Sequence, residues 1–312
     1  MTFKVAVFGE ALFDMIEQEN GDYRPFIGGS PYNVARSFSK QGLDCTYLSP
    51  ISKDIFGQKI FNSVIEEGIN IPQNNRSNKA TSMALVYKDE QGNPDYCLYR
   101  KSVADLDINV KQLLDILPQD LDLFHTGSLA IVPEMLDVLF PVIKELKSRG
   151  VKISIDVNVR KGVEENHQKY VDTIAQFVAL ADIVKVSDED LLLQGLTGDP
   201  QEESQIMLES MNNGIVVLTL GEGGSHLITH DVNIQQDIYT AEQFGDTVGA
   251  GDTFFSALLA QLLRDKSLTV AASLVNFGYA LKFGSLAASI NVSKIGCHPP
   301  TQTEVKNKLE KI

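Results

Sequence analysis

The sequence predicts an α/β protein: a mostly parallel sheet covered by helices on both faces, with a small second sheet attached. Three observations predict it. Short uninterrupted apolar runs rich in β-branched residues alternate with segments of helical periodicity along nearly the whole chain. Residues 10–27 and 80–102 break that rhythm, the second with the alternation of a strand that has one wet face. The polar and Gly-rich clusters follow the strand runs, where ligands bind in such folds.

Taken in order, "KVAVFG" at 4–9 is a short buried strand ended by glycine. "SPYNVARSFSKQG" at 30–42 is a helix, with Ser30 as its N-cap, Pro31 in the first helical position and Gly42 as its stop. A strand over 45–52 and a helix over 54–68 follow. "SMALVYKDEQGNPDYCLYRKS" holds two β-rich runs around the turn signal "DEQGNP", which predicts a hairpin. Beyond it, strands at 121–127, 151–158, 182–187 and 215–221 alternate with helices at 133–150, 168–181 and 202–214. Residues 225–241 read as a further hairpin. The closing third is helical, from Thr253 to about Leu263 and again from about Val270 to Ala288. In the first of these helices Phe255, Leu258, Leu259, Leu262 and Leu263 form one apolar face.

Composition narrows the function. The formal charge of −14 over 312 residues argues against nucleic acid, whose phosphates need clustered Lys and Arg. Cys45, Cys97 and Cys297 are odd in number and far apart, with no CxxC, so a disulfide framework or zinc site is not expected. The N-terminal apolar run is broken by Gly9 and Glu10, as in a strand and not a signal peptide. No run approaches the roughly 18 apolar residues of a membrane span. A cytoplasmic protein is expected.

Loops 10–14, 156–160, 185–190, 221–224 and 246–252 are therefore the places to seek chemistry. The most informative is "GDTVGAGDTF" at 245–254, which leads directly into a helix. Gly249, Ala250 and Gly251 offer free N–H groups with almost no side chain in the way, a nest for an anion. Asp252 beside them either caps the helix or takes a proton from an attacking hydroxyl. Other motifs are excluded: there is no GxxxxGK[ST], and "GEGGSH" and "GAGDTF" lack the third glycine of a dinucleotide fingerprint. His226 and His230 lie in a strand-like run, about 13 Å apart at ~3.3 Å per residue, too far to share a metal.

"GDTVGAGDTF" together with "GGSPYNVA" at 28–35 resembles the two signatures of the ribokinase-like (PfkB-type) carbohydrate kinases. The resemblance spans essentially the whole chain, since "GEALFD", "YRKSVAD", "HTGSL", "DVNVR", "VKVSDEDL", "TLGEGG" and "KIGCHPPT" follow in the family's order. Within the family, "GEALFDMI", "GGSPYNVA" and "YR…AD" are most similar to fructokinases.

The resemblance implies a three-layer α/β/α sandwich with a β-sheet lid. The large domain would comprise 1–9, 28–79 and 105–312, and the lid 10–27 and 80–104. It implies that Asp252 deprotonates the sugar's primary hydroxyl, while N–H groups of Gly249, Ala250, Gly251 and Asp252 cradle the moving phosphoryl. Asp14, Gly28, Gly29, Asn33 and the lid's Arg100 would bind sugar, and Arg160 would reach the phosphates. Thr219, Gly221 and Gly223, with Ser187 and Gly251, would line the ATP channel. Lys185 is either part of that channel or a surface charge. Asp190 would hold Mg²⁺ through waters, and Asp246 would lie by a monovalent-cation loop, potassium being the candidate ion. Lid strands would pair two subunits into a homodimer.

Several positions depart from the family's pattern. Ser187 and Asp190 replace the frequent NxxE residues, Val157 replaces a frequent proline, and Tyr32 stands where a small residue is common. "SKIGC" matches the cation loop loosely. The expected activity is ATP-dependent phosphorylation of fructose to fructose 6-phosphate. The alternatives are 2-keto-3-deoxygluconate kinase or ribokinase, and, from another class, a non-catalytic sugar-binding regulator.

Overall fold

The computed structural model describes residues 2–88, 94–268 and 274–312. Its first strands are β1 (Lys4–Val7), β2 (Leu12–Glu17) and β3 (Tyr23–Gly28), followed by helix α1 (Ser30–Lys40) and strand β4 (Asp44–Tyr47). The expected single strand over 45–52 is broken: Pro50 separates β4 from the two-residue β5 (Ile51–Ser52), which pairs with β6 (Arg76–Ser77) across helix α2 (Ile55–Glu66). Next come β7 (Met83–Lys88) and β8 (Pro94–Tyr99), paired antiparallel as the hairpin pattern predicts. Most of their expected turn, residues 89–93, lies outside the described residues.

The α/β rhythm then runs through α3 (Val110–Ile116), β9 (Leu123–Gly127), α4 (Leu136–Ser148), β10 (Lys152–Asp156) and α5 (His167–Val178). It continues with β11 (Ile183–Ser187), α6 (Asp188–Leu193), α7 (Pro200–Glu209), β12 (Ile215–Thr219), β13 (Ser225–Ile228) and β14 (Asn233–Gln236). Helices α8 (Ala250–Arg264), α9 (Leu274–Val292) and α10 (Gln302–Leu309) close the chain. The expected start of α9 at Val270 lies outside the described residues. Helices α3, α6 and α10 were not expected, although each carries a capping box: Asn109 with Gln112, Ser187 with Asp190, and Thr301 with Glu304.

The large sheet has the order β14-β13-β12-β11-β10-β9-β1-β4, parallel from β12 to β4 and antiparallel at β13 and β14. Strand β1 has β4 on one side and the later β9 on the other, so the connections reverse direction beside it. Such a switch opens a crevice at the carboxyl ends of the strands. Alternation splits the core across the sheet: Ala6 and Phe8 pack with Leu139, Val142 and Ile174, while Val5 and Val7 pack with Val34, Phe38, Phe255 and Leu259. The four-stranded sheet β3-β2-β7-β8 is separate from the large one. Among the described residues, no helix is long and apolar enough to cross a membrane.

Helix α8 is buried from Asp252 to Leu263 on all sides and not along the one expected face. The cause is its place between α1 and α9, both of which pack against it. Small residues allow the approach: a Cβ on Gly284 of α9 would lie 2.8 Å from the Phe254 carbonyl oxygen. That packing anchors the start of α8 at the crevice.

Candidate active site

Gly249 is the N-cap of α8, with φ +70°, and no side chain caps the helix. The Ala250 N–H donates to Thr247 O at 3.1 Å, and Thr253 N–H closes the first turn on Gly249 O at 2.9 Å. Among the described residues, no protein group accepts from the Gly251 or Asp252 N–H. The expected four-residue anion nest is thus narrower, because Ala250 is already engaged. The N–H groups of Gly249, Gly251 and Asp252, at the positive end of a 15-residue helix, remain.

Asp252 is only 8% exposed. Its Oδ1 accepts from Ser30 Oγ at 2.6 Å and its Oδ2 from Asn33 Nδ2 at 2.9 Å. Burial raises its carboxyl above the ordinary range, while these two hydrogen bonds, Lys185 and Arg160 pull it down. Asn33, expected on the sugar, therefore holds the Asp252 carboxylate in this structure. Ser30 is not the expected N-cap: Gly29, at φ +108°, takes that position, and the Ser30 hydroxyl turns to Asp252. Gly29 must be glycine, since a Cβ there would lie 2.4 Å from the Glu10 carbonyl oxygen.

Lys185 is no surface charge. It is 6% exposed on β11, its Nζ lies 2.9 Å from Asp156 Oδ1, and a Cβ on Gly251 would lie 3.4 Å from its Cε. Burial opposes the ammonium, and Asp156, Asp190 and Asp252 outweigh that cost, so it stays charged. Ser187, at the end of β11, is in register with Thr219 on β12. Gly221 and Gly223 form a 3-10 turn just beyond, and a Cβ on Gly221 would meet nothing within 4 Å.

Among the residues expected to bind sugar, Asp14 of β2 presses against Gly28, where a Cβ would lie 2.0 Å from its Oδ2. Burial pushes Asp14 up to about 6, with Arg160 opposing the rise. Arg160 also feels Glu10, Asp252 and Asp190, and it lines a cavity of about 200 Å³ with Lys161, His167 and Tyr170. Arg100 has partners within the protein. Its Nη2 and Nε donate to Asp105 Oδ2 at 2.8 and 3.2 Å, and Glu134 lies 3.8 Å from Nη1. Asp105 in turn accepts from Ser82 Oγ.

Two expected ion ligands have protein partners. Asp190 accepts from Val159 N–H at 2.7 Å, Ser187 N–H at 2.8 Å and Ser187 Oγ at 2.7 Å, which fastens the start of α6 to the end of β10. Asp246 accepts from Val248 N–H at 2.9 Å and Gly296 N–H at 2.7 Å, pinning its loop to the chain after α9.

Sequence reasoning gave no site role to Ser30 or Asp105, nor to Glu10 and Asp156, although the loops that hold the last two were marked. Glu10, 2% exposed after β1, accepts from the Ser30 N–H at 3.3 Å through Oε1, and its buried Oε2 has no hydrogen bond among the described residues. The available signals were the first acid of "DVNVR" and the serine inside "GGSPYN".

The model of the pfkB family of carbohydrate kinases matches residues 2–304. A probable fructokinase-2 of Arabidopsis thaliana is 28% identical, over 98% of this chain and 95% of its own. A fructokinase of Rhizobium leguminosarum bv. trifolii is 29% identical, over 84% of this chain and 80% of its own. Among solved structures, a fructokinase with bound ATP from Xylella fastidiosa matches with a TM-score of 0.88 at 25% identity, covering 100% of this chain and 99% of that one.

Proposed function

We propose that this chain, which belongs to the pfkB family of carbohydrate kinases, transfers the γ-phosphoryl group of ATP to the C6 hydroxyl of fructose. One observation carries the reading: a buried carboxylate, Asp252, adjoins the N–H groups of Gly249, Gly251 and Asp252, which have no protein acceptor among the described residues. The carboxylate takes the proton of the attacking hydroxyl, and the N–H groups stabilise charge on the phosphoryl oxygens. The fructokinase relatives named above support both the sugar and the nucleotide.

A neutral sugar is favoured over a sugar acid by the state of Arg100. A substrate carboxylate brought to Arg100 would meet the resident carboxylate of Asp105, hydrogen-bonded to Nη2 and Nε, and that of Glu134, 3.8 Å from Nη1. Asp14, Asn33, Gly28 and Gly29 would then meet hydroxyls, with carboxylate and amide supplying acceptors and donors. Arg160 would contact the phosphates, and Thr219, Gly221, Gly223 and Ser187 would line the nucleotide's path. Mg²⁺ would ride on the phosphates and keep most of its waters; Asp190, whose oxygens already serve protein donors, would reach it only through such a water. The ion neutralises phosphate charge when bound. A potassium ion would lie by the Asp246 loop.

The small sheet, within 10–27 and 80–104, would act as a lid that excludes water from the transfer. Its edge strands β3 and β8 expose Tyr23 and Tyr99, at 39% and 53%. Unpaired edges of this kind suit a homodimer formed through the lid, which light scattering of the purified protein would test.

The deciding experiment is a coupled assay with ATP and Mg²⁺ across fructose, ribose, 2-keto-3-deoxygluconate and nucleosides, repeated with Asp252→Ala. Turnover should be highest on fructose and fall about 10²–10⁴-fold in the variant, with ATP binding retained. Preference for the sugar acid, or near-normal turnover in the variant, overturns the reading.

A further inference from the structure

Arg160, assigned above to the phosphates, does not stand on a helix or a strand. It lies among the ten residues between the end of β10 at Asp156 and the start of α5 at His167. Lys161 and Gly162, which follow it, are exposed. Asn158 has φ +38°, a left-handed conformation that persists only where the surroundings enforce it. A loop of this kind does not by itself hold a long side chain to the tolerance that phosphoryl transfer demands.

The loop is fastened through three consecutive backbone N–H groups. Val159 donates to Asp190 Oδ1 at 2.7 Å, Arg160 has a longer contact of 3.5 Å to Tyr170 Oη, and Lys161 donates to Tyr96 Oη at 2.9 Å. Asp190 and Tyr170 belong to α6 and α5 of the large domain, whereas Tyr96 belongs to β8 of the small sheet. Along β8 the exposed Cys97 and Tyr99 alternate with the less exposed Tyr96 and Leu98. Leu98 and Val163 of the loop both pack against Leu12, Ala84 and Leu129. The small sheet thus rests on the loop through an apolar contact, which is non-directional, and through one hydrogen bond, which fixes a direction. The Arg160 side chain is within electrostatic reach of Tyr96 and of the Asp252 carboxylate. A shift of the loop therefore moves a positive charge relative to the proposed base.

We infer that Tyr96 is a positioning residue for the transfer: its hydroxyl, carried by the small sheet, fixes the Lys161 peptide and with it the direction of Arg160. This role rests on the phosphotransfer reading above and extends it, because the charge aimed at the phosphates then depends on where the small sheet sits. Tyr96 makes and breaks no covalent bond and exchanges no proton. It acts on turnover through Arg160.

Turnover of the wild-type protein on the sugar panel is established first; a protein that phosphorylates none of those sugars defeats the kinase reading itself. With wild-type turnover in hand, Tyr96→Phe removes one oxygen and keeps the ring. It should lower kcat about three- to tenfold, the scale of one hydrogen bond, with KM for sugar within about twofold. Arg160→Ala should lower kcat about 10²–10³-fold, and Tyr96→Phe added to it should cause no further loss, because Tyr96 acts through the arginine. A folded Tyr96→Phe protein with the kcat of the wild type, a loss confined to KM for sugar, or multiplying losses in the double variant overturns the inference. If Arg160→Ala does not fold, hydrogen exchange of Tyr96→Phe decides. Faster exchange confined to residues 157–166, together with the lowered kcat, supports the role. Unchanged exchange there, or faster exchange across the small sheet as well, overturns it.

Discussion

The Ser30 hydroxyl lies 2.6 Å from Asp252 Oδ1, joining the first turn of α1 to the first turn of α8 across the crevice. Asn33 takes the other oxygen from the next turn of α1. The clamp fixes the direction of the carboxylate and favours its charged form, against the burial that raises it. Ser30→Ala removes one of the two donors. The acid limb of its pH–rate profile should move to higher pH, because the anion is less stabilised, and kcat at neutral pH should fall about tenfold. Ser30→Thr, which keeps the hydroxyl, should recover much of the rate. An acid limb at the wild-type position in Ser30→Ala would remove Ser30 from the mechanism.

Gly28 tests the proposed sugar site apart from the nucleotide. A methyl group there would meet Asp14 Oδ2 at 2.0 Å and Cγ at 3.1 Å. The obstacle is the far end of a side chain, so the fold should accommodate Gly28→Ala by turning Asp14 aside. KM for sugar should then rise about tenfold or more, the scale of one lost charge-assisted hydrogen bond, with KM for ATP unchanged. Steady-state kinetics with each substrate varied in turn would check this, and an equal rise in both constants would refute it.

The fold was legible because its signals are local. Apolar β-branched runs separated by helical periods mark the parallel strands, and "GAGDTF" marks a helix start that carries a carboxylate. Contacts made across the sheet leave no such trace. Lys185 and Asp156 are 29 residues apart and meet only because β10 and β11 pair in register. Ser30 misleads for a related reason: a serine before proline reads as a cap, and only the position of α8, more than 200 residues later, redirects its hydroxyl. Arg100 is similar, since its engagement with Asp105 depends on how the chain turns after β8. The capping boxes of α3, α6 and α10 were readable as sequence patterns; the helices are short, 6 to 8 residues, and offer little periodicity beside them.

Two glycines with positive φ should respond differently to alanine. Gly249 has φ +70°, and a Cβ there would lie 2.3 Å from Cys297 Sγ and 2.7 Å from its Cβ. Gly221 has φ +54° and open space around it. Both substitutions incur the backbone cost of about 1–2 kcal/mol, and Gly249→Ala adds overpacking of roughly 1–3 kcal/mol. Urea midpoints should therefore order wild type, Gly221→Ala, Gly249→Ala. Equal losses would mean that the chain around Cys297 yields freely.

The pH dependence of stability should carry the mark of Glu10. Burial lifts this carboxyl from 4.5 to about 7, with Arg100 opposing the rise. A raised carboxyl favours the protonated fold, so the stability it contributes is complete below about 4.5 and is lost as pH rises through 7. At 1.36 kcal/mol per pKa unit, the full loss is on the order of 3 kcal/mol. Asp14 and Asp156, both lifted to about 6 chiefly by burial, add in the same direction. His125 acts oppositely: burial between Phe38 and Phe255 lowers it from 6.5 to about 3, so its contribution fails as pH drops below 6.5. Glu10→Gln cannot ionise and leaves the other groups in place. The melting temperature of the wild type should fall by several degrees more than that of Glu10→Gln between pH 5.5 and pH 8. Parallel falls in the two proteins would show that Glu10 keeps its charge in the fold, with Arg100 and the Ser30 N–H sufficient to hold it.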